Sequence, residues 1–371
     1  MELFLTITAF SLAFIFVIFA IPPIIRVGKA KHLFDQINER KIHKKIVPPL
    51  GGVAIFIGLT LSSMISVYGT EGSQLRYVWA AIIIMFFIGL KDDLLDISAW
   101  KKLSVQIFAA LLMVTFGDFH FTSLHGVLGI YSIDYFFSIL ISVFTIIVII
   151  NAFNLIDGVD GLASGLAITS GTLLGVWFFM AGQTVFAILS FSLVGSLAGF
   201  FIFNVFGEKH KLFMGDTGSL IVGTVIAALI IKFNELNIAP TQVYQVKAAP
   251  AVSFAIIVVP LVDTLRVMAI RIKQKKSPFS ADTNHIHHRI FYFYKKHIVV
   301  TSILVAINLS LFGLALLINE TSLSVNYQLL IILLTSIVIL YIPSVFIKIK
   351  EMKKKGVIFE SRRSLITRLF F

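Results

Sequence analysis

Phe136-Phe137-Ser138-Ile139-Leu140-Ile141-Ser142-Val143-Phe144-Thr145-Ile146-Ile147-Val148-Ile149-Ile150-Asn151-Ala152-Phe153 carries no charged side chain and runs directly into Asn154-Leu155-Ile156-Asp157-Gly158-Val159-Asp160-Gly161. At about 1.5 Å per residue, the first stretch is long enough to cross most of a hydrocarbon layer about 30 Å thick as a helix that satisfies its own amides. The second stretch puts two carboxylates at the end of that crossing, where water begins. Apolar runs of similar kind recur at 3–25, 48–68, 77–90, 102–117, 161–181, 184–204, 216–233, 249–270, 299–318 and 327–348. Together they predict an all-α polytopic membrane protein with about eleven transmembrane helices.

Composition leads to the same class. With 58% hydrophobic residues, 36 Phe and 13% charged residues in 371, too little polar surface remains to cover a water-soluble core. The first run is expected to stay as a helix: Glu2 stands where a cleaved signal would be basic, and Pro22-Pro23 leads into Arg26. The absence of Cys excludes disulfides and thiolate metal sites. Of 31 Lys+Arg, 28 fall in alternate loops, leaving only Arg76, Lys232 and Lys247 in the other set. That bias predicts the N-terminus outside and the C-terminus cytoplasmic. It also accounts for the net charge of +12 as a topology signal, so no nucleic-acid partner is expected. Residues 1–348 read as one integral membrane domain and 349–371 as a basic cytoplasmic tail; apolar-polar alternation in 118–135 suggests a small hairpin.

The polar motifs fall on the side predicted to be cytoplasmic. Gly89-Leu90-Lys91-Asp92-Asp93-Leu94-Leu95-Asp96 ends the third run. Adjacent acids at a membrane edge repel each other and lose hydration, which a bound cation or a proton-transfer task offsets. A solvated helix end paired with Lys91, Lys101 or Lys102 is the plainer alternative. Asn154, Asp157 and Asp160 follow at i, i+3, i+6 and would share a helical stripe, while Gly158 and Gly161 allow a close approach or a helix break. Such oxygen donors suit Mg²⁺ or sugar hydroxyls. Phe213-Met214-Gly215-Asp216-Thr217-Gly218-Ser219 opens a run; Asp216 reads as part of an anion- or metal-phosphate-binding corner, or as an N-cap. His285-Ile286-His287-His288-Arg289 could grip a diphosphate, and Arg40, Lys41 and His43 could reach phosphate groups from the first basic loop. Asp263 and Arg266, at i, i+3, read equally well as a simple ion pair.

These blocks, in order over about residues 1–320, resemble the polyprenyl-phosphate N-acetylhexosamine-1-phosphate transferase family, specifically the bacterial undecaprenyl-phosphate N-acetylglucosaminyl-1-phosphate transferases. The resemblance implies an eleven-span enzyme of the bacterial inner (cytoplasmic) membrane. Such an enzyme moves a sugar 1-phosphate from a UDP-N-acetylhexosamine to undecaprenyl phosphate, releases UMP and uses Mg²⁺, with Mn²⁺ as substitute. This is the first lipid-linked step of cell-envelope polysaccharides such as O-antigen or teichoic acid. Through it Asp92 and Asp93 match the paired aspartates, with Asp92 set to activate the lipid phosphate and both set near metal. Asn154, Asp157 and Asp160 match the nucleotide-sugar and catalytic block, and Asp216 the Mg²⁺ ligand. His285, His287, His288 and Arg289 match the block for diphosphate and sugar. His-Ile-His-His-Arg differs from the three consecutive histidines of peptidoglycan-precursor transferases, which favours a simple N-acetylhexosamine donor over a muramyl peptide. The expected partners are the two substrates and the bilayer, a homodimer being allowed rather than required. A transporter or flippase is the rival reading, but its charged groups would usually sit near the bilayer midplane.

Overall fold

Because a chain in lipid must satisfy its own backbone, each apolar run coils into helix. The computed structural model describes residues 1–33, 47–67, 72–95, 97–208, 210–239, 244–275 and 284–354. Its helices are α1 (Glu2–Ala30), α2 (Gly51–Ser66), α3 (Arg76–Leu95), α4 (Ala99–Phe116), α5 (Tyr135–Ile156), α6 (Leu162–Met180), α7 (Thr184–Phe206), α8 (Gly215–Leu236), α9 (Ala249–Ile256), α10 (Val258–Lys273), α11 (Ile286–Tyr294), α12 (His297–Asn319) and α13 (Val325–Lys354). Among the described residues, eight are long and apolar enough to cross a membrane, or nine spans if α9 and α10 count as one. At 16 residues α2 is shorter, and α3 carries charge at both ends. The chain is thus an all-α polytopic membrane protein.

α8 is the axis. Its most apolar window is 83% buried by protein, against 22% for α13, so neighbours rather than lipid surround it. It packs on α2, α3, α5, α6, α7 and α9, while α1 closes over α2 and α7. The start of α8 is approached at backbone contact from two sides. A Cβ on Gly52 of α2 would lie 2.2 Å from the Gly218 nitrogen, and one on Gly89 of α3 would lie 2.5 Å from the Thr217 Cα. Residues 48–52 also pair with the segment before α8. Phe213 N–H donates to Pro48 (3.1 Å), and Gly51 and Gly52 N–H donate to Phe213 (2.8 Å) and Met214 (2.9 Å).

The ninth apolar run is not one straight helix: α9 and α10 meet at 79°. Pro260 has no N–H to donate and its ring displaces the Ile256 carbonyl. That carbonyl accepts instead from Asn308 Nδ2 (2.8 Å) and Ser170 Oγ (3.0 Å), and Asn308 Oδ1 accepts from Val259 N–H at 3.3 Å. At the end of the bundle far from the start of α8, residues 117–134 form turns rather than the expected hairpin; Val127 and Ile130 make one isolated bridge among the described residues. Tertiary bonds stand in for a strand ladder. Thr122 donates twice to Glu235 (2.8 Å each), and Asn326 bonds Leu128 N–H (2.8 Å) and the Gly126 carbonyl (3.1 Å).

Gly52→Leu should lower stability by about 2 kcal/mol or more, since rigid backbone fills the space its side chain needs. Gly313→Leu, where a Cβ meets nothing within 4 Å, is the matched control and should leave the thermal midpoint in detergent nearly unchanged.

Candidate active site

The site begins with Asp93. Its Oδ1 accepts from Asp216 N–H (2.7 Å), and its Oδ2 from Thr217 N–H (3.0 Å) and Thr217 Oγ1 (2.5 Å). A carboxylate on α3 therefore caps α8, whose first amides have no partner within their own helix. Gly215 adopts φ +70°, and a Cβ there would come within 2.6 Å of Asp93 Oδ2, so only glycine lets the carboxylate seat. This corrects two expectations. Asp216 is not the N-cap, and the amides of Asp216 and Thr217 are not free to bind an anion, because Asp93 already holds both.

Fixing the start of α8 carries Asp216 toward Asp92, one residue before the cap on α3. Lys102 of α4 bridges them, with Nζ 2.8 Å from Asp92 Oδ2 and in direct contact with Asp216 Oδ2. Ile97 N–H holds the other Asp92 oxygen at 2.6 Å. From the last turn of α5, Asn154 Nδ2 donates to Asp216 Oδ1 (2.6 Å) and Ser219 Oγ (2.9 Å). Asp92, Asp216 and Asn154 thus come together from three helices. Lys102 had signalled only topology or a plain ion pair; its contact with two carboxylates arises from tertiary approach.

Asn154, Asp157 and Asp160 do not share a helical stripe, because α5 ends at Ile156 and Asp157 is its C-cap. The following turn is set by Gly161 at φ +77°, whose N–H is held by Asn204 Oδ1 at 2.6 Å. Asp160 belongs to a second cluster. Lys211 Nζ lies 2.5 Å from its Oδ2, His297 Nδ1 accepts from its N–H at 3.1 Å, and Thr301 donates to its carbonyl at 3.0 Å. Among the described residues, no hydrogen-bond donor reaches the Asp157 carboxyl. Burial first, then the charges of Asp216, Asp160 and Asp93, push Asp157 up to about 8.

The histidine block is anchored by buried Asp263, which accepts from His285 Nδ1 (2.9 Å), Ile286 N–H (2.9 Å) and Arg266 (2.8 Å). Asp263 is thus more than one half of an ion pair: it fixes the start of α11. The His287 ring stacks on His285 at 5.5 Å between centroids and lies 4.4 Å from that of His288. It also abuts the 157–161 turn, since a Cβ on Gly158 would fall 2.4 Å from His287 Nε2. Desolvation first, then neighbouring positive groups, lower His287 to about 3, so it serves as a neutral imidazole and not as a cation. Arg289 bonds Asn284 at the edge of the block, through the carbonyl (3.3 Å) and Oδ1 (3.2 Å). Arg40, Lys41, His43 and Asp96 lie outside the described residues.

A family model described as glycosyl transferase family 4 matches residues 75–234, the stretch holding Asp92, Asp93, Lys102, Asn154, Asp157, Asp160 and Asp216. Curated relatives extend the match. The undecaprenyl-phosphate alpha-N-acetylglucosaminyl 1-phosphate transferase of Escherichia coli (strain K12) is 31% identical over 268 residues, 71% of either chain. Its namesake in Yersinia pestis is 30% identical over 284 residues, 76% of this chain and 74% of the relative. A protein of Bacillus subtilis (strain 168), named a probable undecaprenyl-phosphate N-acetylglucosaminyl 1-phosphate transferase, is 31% identical over 294 residues, 78% of each. The chain belongs to glycosyl transferase family 4. It is therefore a sugar-phosphate transferase of the membrane.

Within this family member, the donors near Lys102 fit a hard divalent cation in kind: carboxylate oxygens of Asp92 and Asp216 with the Asn154 amide beside them, already arranged around a positive charge. Among the described residues, no three acidic or imidazole groups could hold a metal by themselves. Mg²⁺ by habit takes one or two carboxylates and completes its shell with water and substrate phosphate. Asp93 fits less well, both its oxygens being committed to α8.

A carboxyl whose folded pKa lies above its unfolded value contributes stability at low pH and loses it as pH rises. For Asp157 that window runs from the ordinary 3.8 up to about 8. Thermal midpoints of metal-free protein should therefore fall across this window, and Asp157→Asn should flatten the fall. An unchanged slope in the variant would assign the effect to another group.

Proposed function

We propose that the protein transfers N-acetylhexosamine 1-phosphate, most simply GlcNAc-1-phosphate, from a UDP-sugar to undecaprenyl phosphate, giving undecaprenyl-diphosphate-sugar and UMP. The reading rests on the convergence of Asp92, Lys102, Asn154 and Asp216 at one end of a membrane bundle, together with the names of the curated relatives. The Lys+Arg bias supports putting that end on the cytoplasmic side of the bacterial inner membrane, where a soluble nucleotide-sugar and a membrane lipid can meet.

An oxygen of the lipid phosphate attacks the β-phosphorus of the UDP-sugar, and the bond from that phosphorus to the bridging oxygen breaks, so the electron pair leaves with UMP. No proton need be removed from the nucleophile, since a phosphate monoester with second pKa about 6 is already largely ionised at neutral pH. Asp92 accordingly orients rather than deprotonates. Lys102 offsets charge on the diphosphate, Asn154 holds Asp216 in place, and Asp93 acts one step back by fixing α8. Mg²⁺, with Mn²⁺ as substitute, when held by Asp216 and Asp92 would supply further neutralisation of diphosphate charge. Asp160 positions the 157–161 turn through Lys211, and the histidine block borders that turn where the sugar would lie.

Purified protein given undecaprenyl phosphate, UDP-GlcNAc and Mg²⁺ should release UMP and form a lipid-linked sugar. Asp216→Asn and Lys102→Met should each cut turnover by roughly 10²-fold or more. Absence of both products with every UDP-N-acetylhexosamine tried would remove the transferase reading. Full activity in Asp216→Asn would remove the residue assignment alone.

A further inference from the structure

The histidine block occupies one end of α11; the other end is built for a different environment. The buried side of α11 is Ile286, His287 and Ile290. Its last turn exposes three consecutive aromatics, Tyr292 (47%), Phe293 (38%) and Tyr294 (55%), and the exposed Lys295 and Lys296 follow at once. Lys350 of α13 places its ammonium over the same rings, 5.1 Å from the Tyr292 centroid and 5.9 Å from that of Phe293. Lys295, at φ +48°, ends α11 and turns the chain into α12 at His297. The patch therefore sits where two spanning helices meet the boundary on the site's side.

We propose that this patch is a docking surface for anionic phospholipid headgroups, and that docking sets the position of the histidine block. Aromatic rings with polar tips settle at the headgroup level, and ammonium groups beside them attract lipid phosphates. Water would leave three adjacent rings hydrated for no return, whereas a headgroup layer takes both the rings and the charge of Lys295, Lys296 and Lys350. The coupling follows from stiffness. α11 has nine residues, His285 at its start is tied to Asp263, and His287 lies against Gly158, so a tilt imposed at Tyr294 moves imidazoles at the other end. Negative lipid would hold α11 in the arrangement seen here, and neutral lipid would let it loosen. The role given to the histidines rests on the transferase reading; the docking itself does not.

Amide hydrogen exchange of α11 in the full-length protein tests this without any assay of activity. In nanodiscs of phosphatidylglycerol, α11 should exchange roughly tenfold more slowly than in phosphatidylcholine, two surface lysines being able to supply at least that factor. Lys295→Gln/Lys296→Gln/Lys350→Gln should erase the difference between the lipids, and Tyr292→Ser/Tyr294→Ser should weaken protection in both. Equal protection of the unaltered protein in the two lipids overturns the proposal, as does a phosphatidylglycerol effect that survives the triple lysine variant. Failure to form a lipid-linked sugar would leave each of these outcomes readable.

Discussion

The seat of Asp93 on the start of α8 is the constraint from which the rest of the site follows. Three hydrogen bonds to one carboxylate join α3 to the most buried helix of the bundle. A helix N-terminus in a poorly hydrated place needs an acceptor, and α8 has no side chain of its own in the capping position, Met214 standing there. The cap had to come from another element. Because Gly89 and Gly52 remove the side chains that would hold α3 and α2 away, it can come at short range, and Asp92 arrives with it. Adjacent aspartates in sequence thus divide their work: one organises the backbone, and the other faces the side chains of Lys102 and Asp216.

Much of this was readable from residue order. The apolar runs, the positions of the acids at their ends and the grouping of those acids on one side depend on local pattern, and local pattern survives folding in lipid. The glycines of the 157–161 turn were readable too, as a break and a close approach, because Gly161 takes a left-handed conformation and Gly158 meets His287. Asn154, Asp157 and Asp160 form no stripe because α5 stops at Ile156 and the turn through Gly158 and Gly161 breaks the helical periodicity. What could not be read is pairing across the bundle. Pro260 hints at the break between α9 and α10, but the break is made tolerable by Asn308 and Ser170, which sit on α12 and α6. Lys102, Lys211 and His297 resemble any basic residue at a membrane edge until their carboxylate partners are known.

The second cluster shows why the acids of one motif have unlike roles. Asp160 is surrounded by Lys211, His297 and Thr301, which meet its carboxylate and both of its backbone polar groups. Asp157, three residues earlier, has other carboxylates for electrostatic neighbours and keeps its proton far above the ordinary range. Environment, not residue type, separates them. Likewise His287, packed between His285 and His288 and against the turn, is neutral at physiological pH, so positive charge at the sugar end of the proposed site falls to its neighbours.

Those differences bear on what the site asks of a ligand. Asp92, Asp93, Asp157 and Asp216 converge on one region, with Lys102 the ammonium that touches two of them. Asp93 spends its charge on helix amides, and Asp157 escapes repulsion by holding a proton. Asp92 and Asp216 share one ammonium between them, a charge deficit that hydration cannot fully relieve at a protein-lined edge. A divalent cation would remove it, and would do so best if it came with substrate, because the described residues offer too few donors to complete a coordination shell unaided. A diphosphate supplies the missing oxygens but brings negative charge of its own. On this reasoning neither cation nor nucleotide is well satisfied alone, and each should bind more tightly in the presence of the other, which is the reciprocity that linkage requires of two ligands sharing one set of charges.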